Sequence, residues 1–188
     1  MIPKPTRPSK QTSRATNRRA AVKQKPTNKK SLGLACLLVD IGGYKALLPK
    51  SSMNEVIKYQ KPKPFETAPE WLLGSVEWKN WQVPVISYAE LSGLGKSDTK
   101  TSKYIILIKS LANNQQMPFI GVVINALPVD LGLEDSDIVE NFEAPPALGV
   151  FSSIKLAGKE DALIPDLDRL NQLVAHAAYG ALPITQIH

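Results

Sequence analysis

The sequence predicts an all-β protein, a small barrel or a pair of barrels, with a short helix near the C-terminus. Three observations lead there. Beyond residue 31, short apolar runs recur between clusters of Gly, Pro, Asn and Ser, the pattern of strands punctuated by turns. One segment, DLDRLNQLVAHAAYG (166–180), instead spaces its apolar residues i, i+3, i+4 as an amphipathic helix does. The long crossover helices that a parallel α/β sheet requires are missing.

In chain order, LGLACLLVDI ends at Gly42–Gly43 and YKALLP follows. Two apolar runs across a two-glycine step read as a hairpin, because glycine accepts the positive φ of a tight turn. Pro49 ends the second run, and SSMNEVIKY opens with serines suited to capping a short helical turn. The proline-rich KPKPFETAPEW (61–71) is a linker, since its prolines exclude regular hydrogen bonding. Apolar spacing resumes through Leu72, Val76, Val83, Val85 and Ile86. Within that run Pro84 lacks an N–H and points to an edge strand or a bulge. LSGLGKSDTKTSK (91–103) is a polar loop, and YIILI (104–108) pairs with MPFIGVVINAL (117–127) across a turn at Asn113–Asn114. VDLGL, ALGVFSSIKLAG and DALIPDL add further strands, for a total of roughly eight to ten with one or two short helices. In the terminal helix Leu167, Leu170, Leu173 and Val174 form the apolar face, and Gly180 and Pro183 end it.

The net charge of +6 on 188 residues is misleading as an average. Residues 1–31 carry ten Lys/Arg, four prolines and no Asp or Glu. The other 157 residues hold 13 of the 23 basic side chains and all 17 acidic ones, a balance of −4. The expected organisation is a basic, disordered tail (1–31), a folded domain of two β-barrel subdomains (32–170), and a C-terminal helix and extension (171–188). The tail lacks the apolar core of a secretory signal, and no apolar run reaches the ~18 residues of a membrane span, so a cytoplasmic protein is expected. The lone Cys36 sits in LACLLV and reads as a small buried residue.

Catalytic patterns are lacking. His176 and His188 are the only histidines, and neither accompanies a triad-like pattern. Gly42–Gly43 and GLGKSD (93–98) do not make a phosphate loop. LEDSDIVENFE (133–143) lacks the spacing of a calcium loop. No catalytic residue, cofactor or metal is expected, which leaves binding.

The informative stretch for binding is APEWLLGSVEWKNWQVPVISY (68–88), which holds all three tryptophans. Trp78 and Trp81 bracket Lys79–Asn80, with Glu77 alongside. Aromatic bulk beside charge is typical of interface hot spots, and an unpaired lysine is too costly to bury. Glu77, Trp78, Lys79 and Asn80 are therefore candidate partner contacts, presented at a polar turn between two apolar flanks.

These residues also carry a resemblance. Ala68-Pro69-x-Trp71-x-x-Gly74-x-Val76-x-Trp78-Lys79, followed by Val83-Pro84-Val85-Ile86, resembles the signature of CheW-like chemosensory coupling proteins. Tyr44 in the first hairpin, Met53-Asn-Glu55-Val56, and Ile120-Gly121-Val122-Val123-Ile124-Asn125 resemble further family segments. Trp71-Leu-Leu-Gly74 with IPDLDRL (164–170) is most similar to the ChpC branch, which serves systems controlling type IV pili and twitching motility. The resemblance implies two packed five-stranded SH3-like β-barrels around a shared core, and no catalysis. It further implies an adaptor that couples methyl-accepting chemoreceptors to a CheA-type histidine kinase, with other CheW-like proteins as further partners. Met53 and Glu55 would contact the receptor, as would Lys79 at the family's arginine position. Lysine keeps that charge but not the two-pronged guanidinium. Glu77 and Asn80 also depart from the Asn and Gly of the family turn. The alternative reading is a small-barrel nucleic-acid-binding protein that uses the basic tail.

Overall fold

The computed structural model describes residues 33–96, 102–110, 116–141, 147–156 and 161–180. All of them belong to the unit Ser31–His188. The basic segment 1–31, the Asn113–Asn114 turn and His188 lie outside the described residues, as does part of the acidic run 133–143.

The chain opens with β1 (Leu34–Asp40), β2 (Lys45–Pro49) and, after a 3-10 turn at Lys50–Ser52, β3 (Met53–Lys58). Next come β4 (Leu72–Trp78), β5 (Trp81–Ile86), the one-turn helix α1 (Tyr88–Leu91), β6 (Tyr104–Lys109) and β7 (Phe119–Ile124). The last part holds β8 (Val129–Leu133), β9 (Ile138–Asn141), β10 (Val150–Leu156), β11 (Asp161–Pro165) and α2 (Leu167–Tyr179). Eleven strands among the described residues slightly exceed the expected eight to ten, and one of them, β9, falls within the acidic run that follows VDLGL.

The strands form two sheets. One has the order β3-β6-β7-β5-β4, and the other β8-β1-β2-β11-β10-β9, so one sheet has the expected five strands and the other has six. The five-stranded sheet curls toward closure through the chain that leaves β3. Lys63 exchanges both backbone hydrogen bonds with Ser75 of β4, each at 2.8 Å, and Tyr59 N–H still reaches the Lys103 carbonyl beside β6. Gly74 allows this approach. Its φ is +131°, and a Cβ there would run into the Lys63 carbonyl. The family-like glycine is thus explained by sterics.

Burial follows strand alternation. Val76, Val83, Val85, Ile105, Leu107 and Val123 fill the five-stranded sheet, while Cys36, Leu47, Leu133, Ile154, Leu156 and Ala162 fill the six-stranded one. The opposite faces meet in a third cluster that joins Leu37, Val39 and Leu48 to Ile86, Ile106, Ile108 and Val122. Helix α2 seals it with Leu170 and Val174, while Leu167 and Leu173 are partly buried against it. Its N-cap is Asp166, which accepts from Arg169 N–H at 2.8 Å, and Gly180 ends it at φ 76°. Two sheets, each with its own interior, thus pack around a shared core.

Two expectations need correction. Pro84 lies on β5, which sits between β7 and β4 and is not an edge, although the β4–β5 ladder does slip beside it, between Leu72 and Gly74. Ser75, opposite Pro84, spends its N–H and C=O on Lys63, so Pro84 falls at a position not hydrogen-bonded to β4. Toward β7 the parallel pairing begins only at Val85, and the missing N–H breaks no ladder bond. The serines of SSMN do not cap a helix; Ser52 lies inside the 3-10 turn and donates to the Pro49 carbonyl at 2.7 Å. Helix α1 was not expected. It is capped by Ser87, whose Oγ accepts from Glu90 N–H at 3.4 Å.

Candidate partner-binding site

Strands β4 and β5 are joined by two residues, Lys79 and Asn80, with φ of 44° and 68°. Two successive left-handed residues match the twist of a tight hairpin. Asparagine accepts that region readily, whereas lysine is held there against a cost of about 1 kcal/mol. Strain retained at an exposed tip is the kind of feature that marks a functional position.

The Lys79 side chain is also placed. Its Nζ lies 2.8 Å from Glu55 Oε2 on β3 and 4.4 Å from the Trp78 ring centroid. Trp78 faces Trp81 across the hairpin. Phe119, at the start of β7, meets Trp78 edge-on at 5.0 Å and Trp81 at 6.4 Å. The pair Lys79–Glu55 is solvent-exposed, with side chains 66% and 42% accessible. An exposed pair contributes at most about 1 kcal/mol, so a partner's carboxylate can take Glu55's place at little cost. The indole face adds a cation–π contact that keeps the ammonium in position.

Among the site residues expected from sequence, the structure brings Glu55, Trp78 and Lys79 into contact, and Asn80 completes the turn. Glu77 is exposed opposite Gln82, and its carbonyl accepts from Gln60 Nε2 at 3.5 Å. Met53 is set apart, packed at the margin of the shared core. Trp71 is also core-facing, and its carbonyl accepts from Ser87 N–H at 2.8 Å. Sequence reasoning missed Phe119, whose only local signal is that it opens an apolar strand. Among the described residues no group of three or more His, Cys, Asp or Glu could hold a metal ion. No helix among them is long and apolar enough to cross a membrane.

Two small β-sheet bodies sharing a core, with a charged and aromatic hairpin tip, define a β-barrel binding module. Residues 35–174 match the CheW-like domain family, and the chain belongs to that family. Among solved structures it is similar to the scaffolding protein TtCheW from Thermoanaerobacter tengcongensis. That likeness has 18% identity and a TM-score of 0.63, and covers 81% of this chain and 99% of that one. At this identity the likeness is one of fold. No curated protein matches the chain. CheW-like proteins are noncatalytic scaffolds of chemosensory signalling, and this chain is one of them.

Proposed function

We propose that this chain is a cytoplasmic adaptor that couples methyl-accepting chemoreceptors to a CheA-type histidine kinase in a system controlling type IV pili and twitching motility. The observation that carries the coupling role is Lys79. It is held at positive φ on an exposed turn and oriented by Glu55 and Trp78, and the sequence resemblance matches it to the family's arginine position. The pilus assignment is supported by the ChpC-like run Trp71-Leu-Leu-Gly74 together with IPDLDRL at 164–170. Receptor contact is assigned to the Lys79–Asn80 tip with Glu55, Glu77 and Trp78, and Met53 contributes from the first position of β3, two residues before Glu55. The test is capture of a receptor cytoplasmic fragment and of a kinase regulatory domain by the full chain and by Lys79→Glu. The variant is expected to fold and to lose capture; a folded variant that captures both as well as the parent does would count against the Lys79 assignment. A deletion strain that twitches normally would remove the pilus assignment.

A further inference from the structure

The tip residues occupy only one side of a larger constellation. Every strand of the five-stranded sheet brings an inward-set residue to the same end. These are Glu55 near the start of β3, Lys109 at the end of β6, Phe119 at the start of β7, Trp81 at the start of β5 and Trp78 at the end of β4. Residues two places deeper, such as Ile57, Leu107, Val83 and Val76, belong to the interior cluster. The end of the sheet is therefore a barrel mouth, plugged by Trp78 and Phe119 and rimmed by charge.

Two features of the rim are unnecessary for a plug. Trp81 is 41% exposed although it contacts Phe119. Lys109, opposite Phe119, donates from Nζ to the Ser51 carbonyl at 3.1 Å, a neutral acceptor that leaves its charge uncancelled. Lys79 and Lys109 set two ammonium groups against the Glu55 carboxylate at the rim, beside an open indole, while Glu77 is exposed on the alternate face of β4.

Resting on the adaptor reading above, we propose that this mouth seats a segment of a partner protein that presents an Asp or Glu carboxylate beside a bulky apolar side chain. The carboxylate takes Lys79 in competition with Glu55, and the apolar side chain covers Trp81 where it meets Phe119. Trp81, Phe119 and Lys109 thereby become specificity-determining contacts. The mouth fits a protein segment better than a nucleic acid. Its rings meet edge-on, at 77° and 73°, and the Lys79 ammonium lies over one face of Trp78. The covered Trp78 face cannot stack a base, and the Glu55 carboxylate repels phosphodiesters.

The test is calorimetric titration of the full chain with a receptor cytoplasmic signalling fragment and, separately, with a kinase regulatory domain. The chain is compared with Trp81→Gln and Phe119→Leu, each checked for an unchanged melting temperature. Trp81→Gln is expected to weaken one of the two probes about ten-fold, the size of an interface contact worth about 1.4 kcal/mol. Phe119→Leu keeps the plug apolar and should weaken the same probe by less. Converting the probe's acidic residues to amides one at a time should find one that costs the parent chain affinity but costs Lys79→Gln nothing further. If a probe binds the parent and Trp81→Gln equally well, the mouth is not the seat, while the adaptor reading stands. If neither probe binds the parent chain, both are overturned. Tighter binding of a thymidine oligonucleotide than of either protein, lost in Trp81→Gln, would overturn the protein-segment assignment in favour of single strands.

Discussion

The Tyr88 hydroxyl donates to the Gly149 carbonyl at 2.7 Å across 61 residues of sequence, in a buried position. The same carbonyl accepts from Asp166 N–H at 2.9 Å. Helix α1, the entry to β10 and the cap of α2 therefore converge on one peptide group. Gly149 has φ +72°, and a Cβ there would sit 2.9 Å from Leu91 Cδ2, so the junction is tight as well as hydrogen-bonded.

Tyr88→Phe should cost about 1 kcal/mol, toward the low end for a buried bond because Asp166 N–H still satisfies the carbonyl. Burial pushes the Tyr88 phenol well above its ordinary range, which favours the neutral form in the folded state. Stability is then full below the pKa of an unfolded tyrosine, about 10, and falls as pH rises beyond it. Urea melts between neutral and strongly alkaline pH should show a shallower alkaline loss in Tyr88→Phe than in the parent.

Gly74→Ala should be severe and Gly43→Ala mild, although both glycines have positive φ. At Gly74 the added carbon runs into the Lys63 backbone, which cannot move without opening the Lys63–Ser75 bridge. At Gly43, φ +95°, it meets nothing within 4 Å. A loss of about 3 kcal/mol or more is expected for the first, and about 1 kcal/mol from backbone strain alone for the second. Equal melting temperatures for the two variants would contradict the proposed barrel closure.

Charge reversal separates stability from binding at the hairpin tip. Lys79→Glu places two carboxylates together but should cost less than about 1 kcal/mol, since the pair is exposed. Adding Glu55→Lys restores an ion pair of the opposite order. The double variant should therefore melt like the parent and still fail to capture receptor fragment. Recovery of capture would mean that the pair serves only to hold the turn.

Asp40 gives an acid-side prediction. Burial alone would raise its pKa, but the hydrogen bond and charge of Lys45 and the N–H groups of Gly43 and Gly42 outweigh it and hold the carboxyl below its usual range. A depressed carboxyl stabilises the fold above the unfolded pKa, and that contribution is lost as pH falls through the folded one. Asp40→Asn should be about 1 kcal/mol less stable than the parent at pH 7, with the gap closing below about pH 4. A gap that stays constant with pH would show that the charge plays no part.

Local chemistry was legible in the sequence, and contacts between distant residues were not. Gly42–Gly43 marked the first hairpin, whose strands align Asp40 with Lys45, and the apolar spacing from Leu167 to Val174 with Gly180 marked α2 and where it stops. The break between Trp78 and Trp81 was readable as a turn because charge interrupts an apolar run. Helix α1 carried a Ser87-x-x-Glu90 capping signal, but it spans only four residues and is too short to show a period. The placement of Pro84 inside the sheet depends on Lys63 taking Ser75's hydrogen bonds, which nothing near Pro84 reveals. The meeting of Lys79 with Glu55 and of both tryptophans with Phe119 likewise arises only when β4, β5, β3 and β7 share a sheet.

The interleaving of the two sheets has a consequence for the order of assembly as the chain emerges from the ribosome. Strands β3 to β7, from Met53 to Ile124, are contiguous and complete one sheet by themselves. The earlier hairpin β1–β2 must wait for β8, and for β11, which joins it in parallel where Leu163 meets Ala46. Pairings so distant in sequence form slowly. The first hairpin synthesised is therefore among the last elements to find its outer neighbours, and until then the apolar side chains of LACLLV and ALLP stand open to chaperones or to another nascent chain.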